Sequence, residues 1–392
     1  MKIAKRISTS SKKSFGMYAY LEGAGRSLIH LEIGRPFADT PAVIKEATIA
    51  ALQRGEVHYS DPQGLPILRE ALARKLAKKN GLDVSPEQIL VTNGLTHAAF
   101  AAFMALLDDG DEVILLSPHY PQHLGKIELA GARPILVALD KDRGFSIDGK
   151  IIEAAITERT RMIVLVNPSN PTGRVYSLAE LGELAQIAIR HDLIVVSDEV
   201  YEDITYDDAR HVSIASLPGM STRTVSMFAF TKSYAMDGWR VGYLVAPREV
   251  IPAMLKITMN DVTHVNTFAQ YGALAAVVDE SGTLAGLVQE DNEKRDLVVA
   301  AMNAIPGIRC AVPEGGIYAF ANIESTGIPS QALAEQILEE VAVATEAGSF
   351  YGRAGEGYLR ICFGSESKER LAEAMTRLRA FFVRLEESKQ PQ

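Results

Sequence analysis

Ala229-Phe-Thr-Lys-Ser-Tyr-Ala-Met-Asp-Gly-Trp-Arg-Val-Gly-Tyr243 sets one lysine, Lys232, and one arginine, Arg240, between two apolar runs. Thr224–Phe230 before it and Val241–Val245 after it have the composition and length of buried strands. A polar turn that leaves a buried strand with a lysine two residues on is where an open sheet presents chemistry.

Working outward, the pattern repeats. Further strands are predicted at Gln88–Thr92, Glu112–Leu116, Met162–Val166 and Leu193–Ser197, and amphipathic helices at Pro41–Arg54, Leu65–Lys79 and Leu178–His191. Short β-rich runs alternating with helices indicate an α/β fold around a largely parallel sheet. Asn93-Gly94, Ser117-Pro118, Asn167-Pro168, Asp198-Glu199 and Thr231-Lys232 each follow a predicted strand directly. Ligands of open α/β sheets bind at the carboxyl ends of the strands, so these five segments are expected on one rim.

From about Gly282 the pattern changes. A long helix, Leu284–Ile305, leads through a Pro-Glu-Gly-Gly turn to a strand at Ile317–Ile323, and helices Ser330–Val341 and Lys368–Leu385 flank a short strand, Gly357–Phe363. The expected division is an N-terminal arm contributing to a small domain over 1–40, a large domain over 41–283, and a small α+β domain over 284–392.

Composition excludes several function classes. A net charge of −9 is unlike the basic surface of a nucleic-acid binder, and 47% apolar with 23% charged residues is ordinary for a globular chain. Two cysteines, Cys310 and Cys362, make neither a disulfide framework nor a thiolate metal site, and no metal is expected. No run approaches the ~18 apolar residues of a membrane span, and no apolar stretch follows the basic start as in a secretory signal. The expectation is a soluble, cytoplasmic protein with no membrane or nucleic-acid partner.

The lysine segment resembles that of the class I/II aminotransferases, enzymes of fold type I that use pyridoxal 5′-phosphate. Asn167-Pro-Ser-Asn-Pro-Thr-Gly173, Asp198-Glu-Val-Tyr201, Leu31-Glu-Ile-Gly-Arg-Pro36 and Leu359-Arg-Ile-Cys-Phe363 are similar to further family motifs, in family order and over nearly the whole chain. The resemblance implies a large domain with a mostly parallel seven-stranded sheet and a smaller α+β domain. It implies that Lys232 forms the Schiff base, that Asp198 keeps the pyridine nitrogen protonated, and that Asn170 and Tyr201 hydrogen-bond the ring oxygen. The phosphate is expected on the amides of Gly94, Leu95 and Thr96 at a helix N-terminus, on Thr231 and on Arg240. Tyr120 matches the residue stacked on the ring, and Arg360 the arginine that grips the substrate α-carboxylate, with Gly34 beside it. Tyr59 matches a tyrosine that reaches the phosphate of a neighbouring subunit, which implies a homodimer.

Other residues keep two readings. His123 matches a position that supports the aspartate in some relatives, and is equally an ordinary loop histidine. His97 is a helix histidine or a group that manages protons near the ring. Glu22, Glu32 and Asp237 are solvated carboxylates or an acidic lining that favours a cationic substrate. Three departures stand out: Ala229 occupies a position where the family usually has a phosphate-binding serine, Gly34-Arg35-Pro36 replaces Gly-Glu-Pro, and Asp237 stands where the family commonly has threonine.

The resemblance implies an aminotransferase that exchanges an amino group between an L-amino acid and a 2-oxo acid. The alternative is an O₂-dependent oxidase, desaturase or hydroxylase of a cationic amino acid such as L-arginine, in natural-product biosynthesis. The N-terminal stretch Phe15–Gly25 points toward that branch. A β-lyase or decarboxylase on the same scaffold stands third. A non-enzymatic effector sensor stands last, because the cofactor-binding pattern starts almost at the first residue.

Overall fold

The computed structural model describes residues 27–389 together with Ile3 and Ile7. Seven strands form the main sheet: β2 (Ile89–Thr92), β3 (Glu112–Ser117), β4 (Arg133–Ala138), β5 (Thr160–Val166), β6 (Ile194–Asp198), β7 (Thr224–Ala229) and β8 (Gly242–Val245), in the order β2-β8-β7-β6-β5-β3-β4. From β7 to β4 every neighbour is parallel, while β8 runs antiparallel to both β7 and β2. Two antiparallel steps return β2 to the direction of β7. Thr92 and Ala229 therefore both face Gly242, and the chain leaves both strands on the same rim.

Alternate residues of each strand point to opposite faces, and helices cover both. On one face Val164, Val196 and Met227 share a core with Phe103 of the helix Leu95–Leu106. On the other, Ile163 and Val195 pack on Leu181, Leu184 and Ile187 of the helix Leu178–Arg190. That second helix starts on a capping box, in which Ser177 and Glu180 satisfy each other's backbone donors.

The predicted strands lie within about two residues of those found, and all five rim segments lie at or just past strand ends, with Ser117 and Asp198 as the last residues of theirs. The predicted helix Leu65–Lys79 is the helix Pro66–Lys75 followed by a wider turn, Leu76–Asn80, and is stopped by Gly81 in the left-handed region. Strand β4 was not among those predicted. It is an edge strand with only one buried position, so its alternation is weak.

The second, four-stranded sheet is antiparallel in the order β12-β13-β10-β9, with β9 (Arg309–Cys310), β10 (Tyr318–Asn322), β12 (Glu346–Ala347) and β13 (Tyr358–Cys362). Helices Thr283–Asn303, Ser330–Val341 and Lys368–Lys389 accompany it. Near the start of the described chain, β1 (Ile29–His30) pairs in parallel with β11 (Val343–Ala344). Leu31, Gly34 and their neighbours are thereby carried to the junction of the two larger sheets. Among the described residues no helix is long and apolar enough to cross a membrane.

Candidate active site

A cavity of about 320 Å³ opens where the carboxyl ends of the main sheet meet the second sheet. Its walls include Gly34, Leu95, Thr96, Tyr120, His123, Asn170, Asp198, Tyr201, Thr231, Lys232, Asp237, Arg240 and Arg360, so most of the residues singled out in the sequence converge on it. Asp198 and Lys232 meet there because β6 and β7 are adjacent and parallel, and Gly34 reaches Arg360 because β1 pairs with β11 and the Cys362 amide donates to the Leu31 carbonyl.

Asp198 ends β6 and is 3% exposed. Its Oδ2 lies 2.9 Å from His123 Nε2, and its Oδ1 accepts the Val200 amide at 3.2 Å. His123 is fully buried on the helix Pro121–Leu129, with Tyr120 edge-on at 5.2 Å. Burial pushes the His123 imidazole below its usual range, against the pull of Asp198. A neutral imidazole that donates through Nε2 to the Asp198 carboxylate is the compatible arrangement. The supporting reading of His123, not the loop reading, is the one this geometry matches.

Gly94 precedes the helix Leu95–Leu106 with φ +77°, a conformation open to glycine. A Cβ there would meet Arg240 Nη2 at 2.7 Å. The guanidinium thus lies directly against the turn, with Nη1 donating to the Asp237 carbonyl at 2.8 Å. As first residues of a helix, Leu95 and Thr96 carry amides without intrahelical acceptors. Arginine, helix N-terminus and the Thr231 hydroxyl make a cradle that suits a phosphate dianion.

Lys232 donates to the carbonyl of Gly34, and burial depresses its ammonium below the usual lysine range. Arg360 is 1% exposed. It donates to Asn170 Oδ1 at 3.2 Å and to the Glu32 carbonyl, and its Cζ lies 4.2 Å from the Tyr318 ring centroid and 5.0 Å from that of Tyr351. Its Nε is buried without a partner among the described residues. A buried guanidinium with a free donor at the edge of a cavity is a ready carboxylate site.

The near-ring reading of His97 and the acidic-lining reading of Glu32 need correction. His97 does not line the cavity: its Nδ1 accepts the Asn93 amide at 3.0 Å and its Nε2 faces Asp261 at 3.6 Å, so it braces the turn from behind. Glu32 contributes its carbonyl to Arg360, while its carboxylate turns to His30 Nδ1 at 2.8 Å and is raised above the usual range by burial. Of the two described carboxylates considered for an acidic lining, Asp237 lines the cavity and Glu32 does not; Glu22, like the stretch Phe15–Gly25, lies outside the described residues. Ala229 is not in the cavity wall. Tyr59 is 85% exposed, edge-on to His264 at 5.0 Å, and apart from this chain's own cavity.

The wall residues that sequence reading did not single out include Lys126 and Tyr318. Lys126 follows Tyr120 and His123 at three-residue spacing on one helix, a helical period that would have pointed to it. Tyr318 carried no such signal, because its strand belongs to the other sheet.

The profile of the family described as aminotransferase class I and II matches residues 26–378. An aspartate aminotransferase of Pyrococcus abyssi is 40% identical over 90% of this chain and 91% of its own length. An aromatic-amino-acid aminotransferase 2 of Thermococcus litoralis is 38% identical over 94% of each. Among solved structures, an aspartate aminotransferase from Thermus thermophilus with maleate superposes with a TM-score of 0.92 at 33% identity, covering 97% of this chain and 99% of that one.

Proposed function

Because the chain belongs to the class I and II aminotransferases, which work with pyridoxal phosphate, we propose how its residues divide the transfer of an amino group from an L-amino acid to a 2-oxo acid. When bound, pyridoxal phosphate supplies a carbonyl that takes up the amino group and a protonated ring that draws electrons from the substrate Cα. The residues fit it: the cradle at Gly94 and Arg240 matches a phosphate, and the His123–Asp198 pair matches a protonated ring nitrogen.

Lys232 is the group that binds the cofactor and moves the proton at Cα. Burial, which depresses its ammonium, favours the free amine that a base requires. Asp198 holds the proton on the ring nitrogen, with His123 orienting its carboxylate. Asn170 and Tyr201 donate to the ring oxygen, and Tyr120 covers the ring and keeps water from it. Gly94, Leu95, Thr96, Thr231 and Arg240 hold the phosphate, while Arg360, Gly34 and Asn170 receive the α-carboxylate. Tyr59 is assigned to the neighbouring subunit's phosphate in a homodimer, a role supported by its exposure away from its own cavity.

The observation that carries this reading is the convergence of Lys232, Asp198, Arg240 and Arg360 on one cavity. The relatives' aminotransferase names favour transfer over the oxygen-dependent alternative. For the side chain, we place aspartate and aromatic amino acids ahead of arginine and lysine, a choice supported by the relatives named aspartate and aromatic-amino-acid aminotransferases. Comparing kcat/KM for aspartate, phenylalanine, leucine and arginine with 2-oxoglutarate tests both points, with keto acid and O₂ followed separately. Arginine as the best donor would overturn the side-chain assignment. Keto acid formed with matching O₂ uptake and no acceptor would overturn transfer.

A further inference from the structure

We propose that Tyr318 is a positioning residue that fixes the groups on either side of it, Arg360 through its ring and Tyr201 through its hydroxyl. The proposal rests on the reading above, in which Tyr201 donates to the cofactor's ring oxygen. Tyr318 opens β10 and is 2% exposed. The register of β10 against β13 sets Tyr318 opposite Cys362 and Phe320 opposite Arg360, so Tyr318 and Arg360 are diagonal neighbours on one face. The tyrosine ring meets the guanidinium face-on, with Cζ 4.2 Å from its centroid.

Across the junction, the Tyr318 hydroxyl lies 2.9 Å from that of Tyr201, with the rings edge-on at 5.8 Å. Tyr201 belongs to the main sheet's rim and Tyr318 to the second sheet, so this bond spans the two. The space it occupies is narrow. A Cβ at Gly34 would collide with the Tyr318 hydroxyl, and the Gly34 carbonyl accepts from Lys232. Glycine at 34 is what admits the hydroxyl beside the lysine.

Direction follows from proton counting. A hydroxyl has one proton to donate. If Tyr201 gives its proton to the ring oxygen, Tyr318 must be the donor between the two. Burial raises both hydroxyls, Tyr318 to about 12, so both keep their protons at neutral pH. Donation into the Tyr201 oxygen makes the Tyr201 O–H a stronger donor in turn. Tyr318 thus sets the strength of a contact to the cofactor that it does not itself make.

The test is a double-mutant cycle on the visible absorbance of the bound cofactor, titrated with pH. Tyr318→Phe keeps the ring on Arg360 and removes one hydroxyl. It is expected to raise the titration midpoint by about half a unit to one unit, because the ring oxygen's anionic form loses support. KM for the amino acid should stay within about twofold, whereas Tyr318→Leu, which also removes the ring, should raise KM about tenfold. In a Tyr201→Phe background, Tyr318→Phe should add no further shift in the midpoint. If Tyr201→Phe alone leaves the midpoint unmoved, the assignment of Tyr201 fails and the proposal with it. If Tyr201→Phe moves it but Tyr318→Phe does not, or Tyr318→Phe shifts both backgrounds equally, the proposal alone is overturned.

Discussion

The two ends of the cavity hold opposite charges by different means. At one end Asp198 is held by His123 and the Val200 amide, all supplied by the rim of one sheet and the helix that follows β3. At the other end Arg360 is held by the Glu32 carbonyl, Asn170 and the rings of Tyr318 and Tyr351, drawn from four separate stretches of chain. Both charges are almost wholly buried. The first is built by neighbouring elements of one layer and needs little else. The second exists only when β1, the loop after β5 and the second sheet are all docked. A charge that works on the cofactor is thus tied to the scaffold, and one that meets an exchanging substrate is tied to a junction.

Between the two ends lies Lys232, and removing it should break both functions at once. Lys232→Ala is expected to abolish the visible absorbance of the bound cofactor and to lower kcat on the order of 10⁴-fold or more. Spectrum and steady-state rate measured on one preparation check this. An unchanged spectrum would remove Lys232 from the assignment.

The ends themselves should respond differently. Asp198→Asn keeps the shape but loses the charge, so kcat is expected to fall by about 10³-fold while the cofactor remains bound and KM changes little. Arg360→Leu should instead act mainly on KM, raising it about 10²-fold for amino acid and oxo acid alike, because an unpaired carboxylate replaces a charge-assisted contact. Steady-state kinetics on both variants, with cofactor content measured by absorbance, separate the two. Equal effects on kcat and KM from both would collapse the distinction between scaffold and junction.

The smallest expected effect sharpens the Asp198 end. Burial lowers the Lys126 ammonium to about 8, and Asp198 opposes that shift. Between about pH 8 and the ordinary lysine value near 10.4, the unfolded chain binds more protons than the folded one at this site. The cost of burying the ammonium is therefore full below pH 8 and fades as pH rises through that window. Lys126→Met should raise Tm of the apoprotein by about 2–4 °C at pH 7, with the gain shrinking toward pH 10. Thermal melts across pH measure it. A fall in Tm at pH 7 would show that Asp198 holds the ammonium more firmly than burial opposes it.

Much of this was legible before any coordinates. Strands β2, β3, β5, β6, β7 and β8 are apolar runs bounded by polar turns, and alternation with helices dictates the parallel sheet. Asp198, Lys232 and Gly94 could be placed on its rim because each lies at a strand end or within three residues past one. Edge strand β4 was illegible, since one exposed flank erases the alternation that burial would impose.

Side-chain direction was beyond the sequence. Glu32 and Asp237 are both carboxylates in cavity-forming segments, yet one turns to His30 and the other lines the wall. His97 and His123 are both helix histidines near the rim, yet one faces Asp261 and the other Asp198. Tyr318 reaches Tyr201 only because two sheets meet over Gly34. Sequence alone determined the alternation of strands and helices and the strand-end positions, because both follow from local periodicity and from which residues must be buried. The tertiary structure decided which polar groups share one dry cavity, because a side chain's partner depends on packing between segments that no local pattern records.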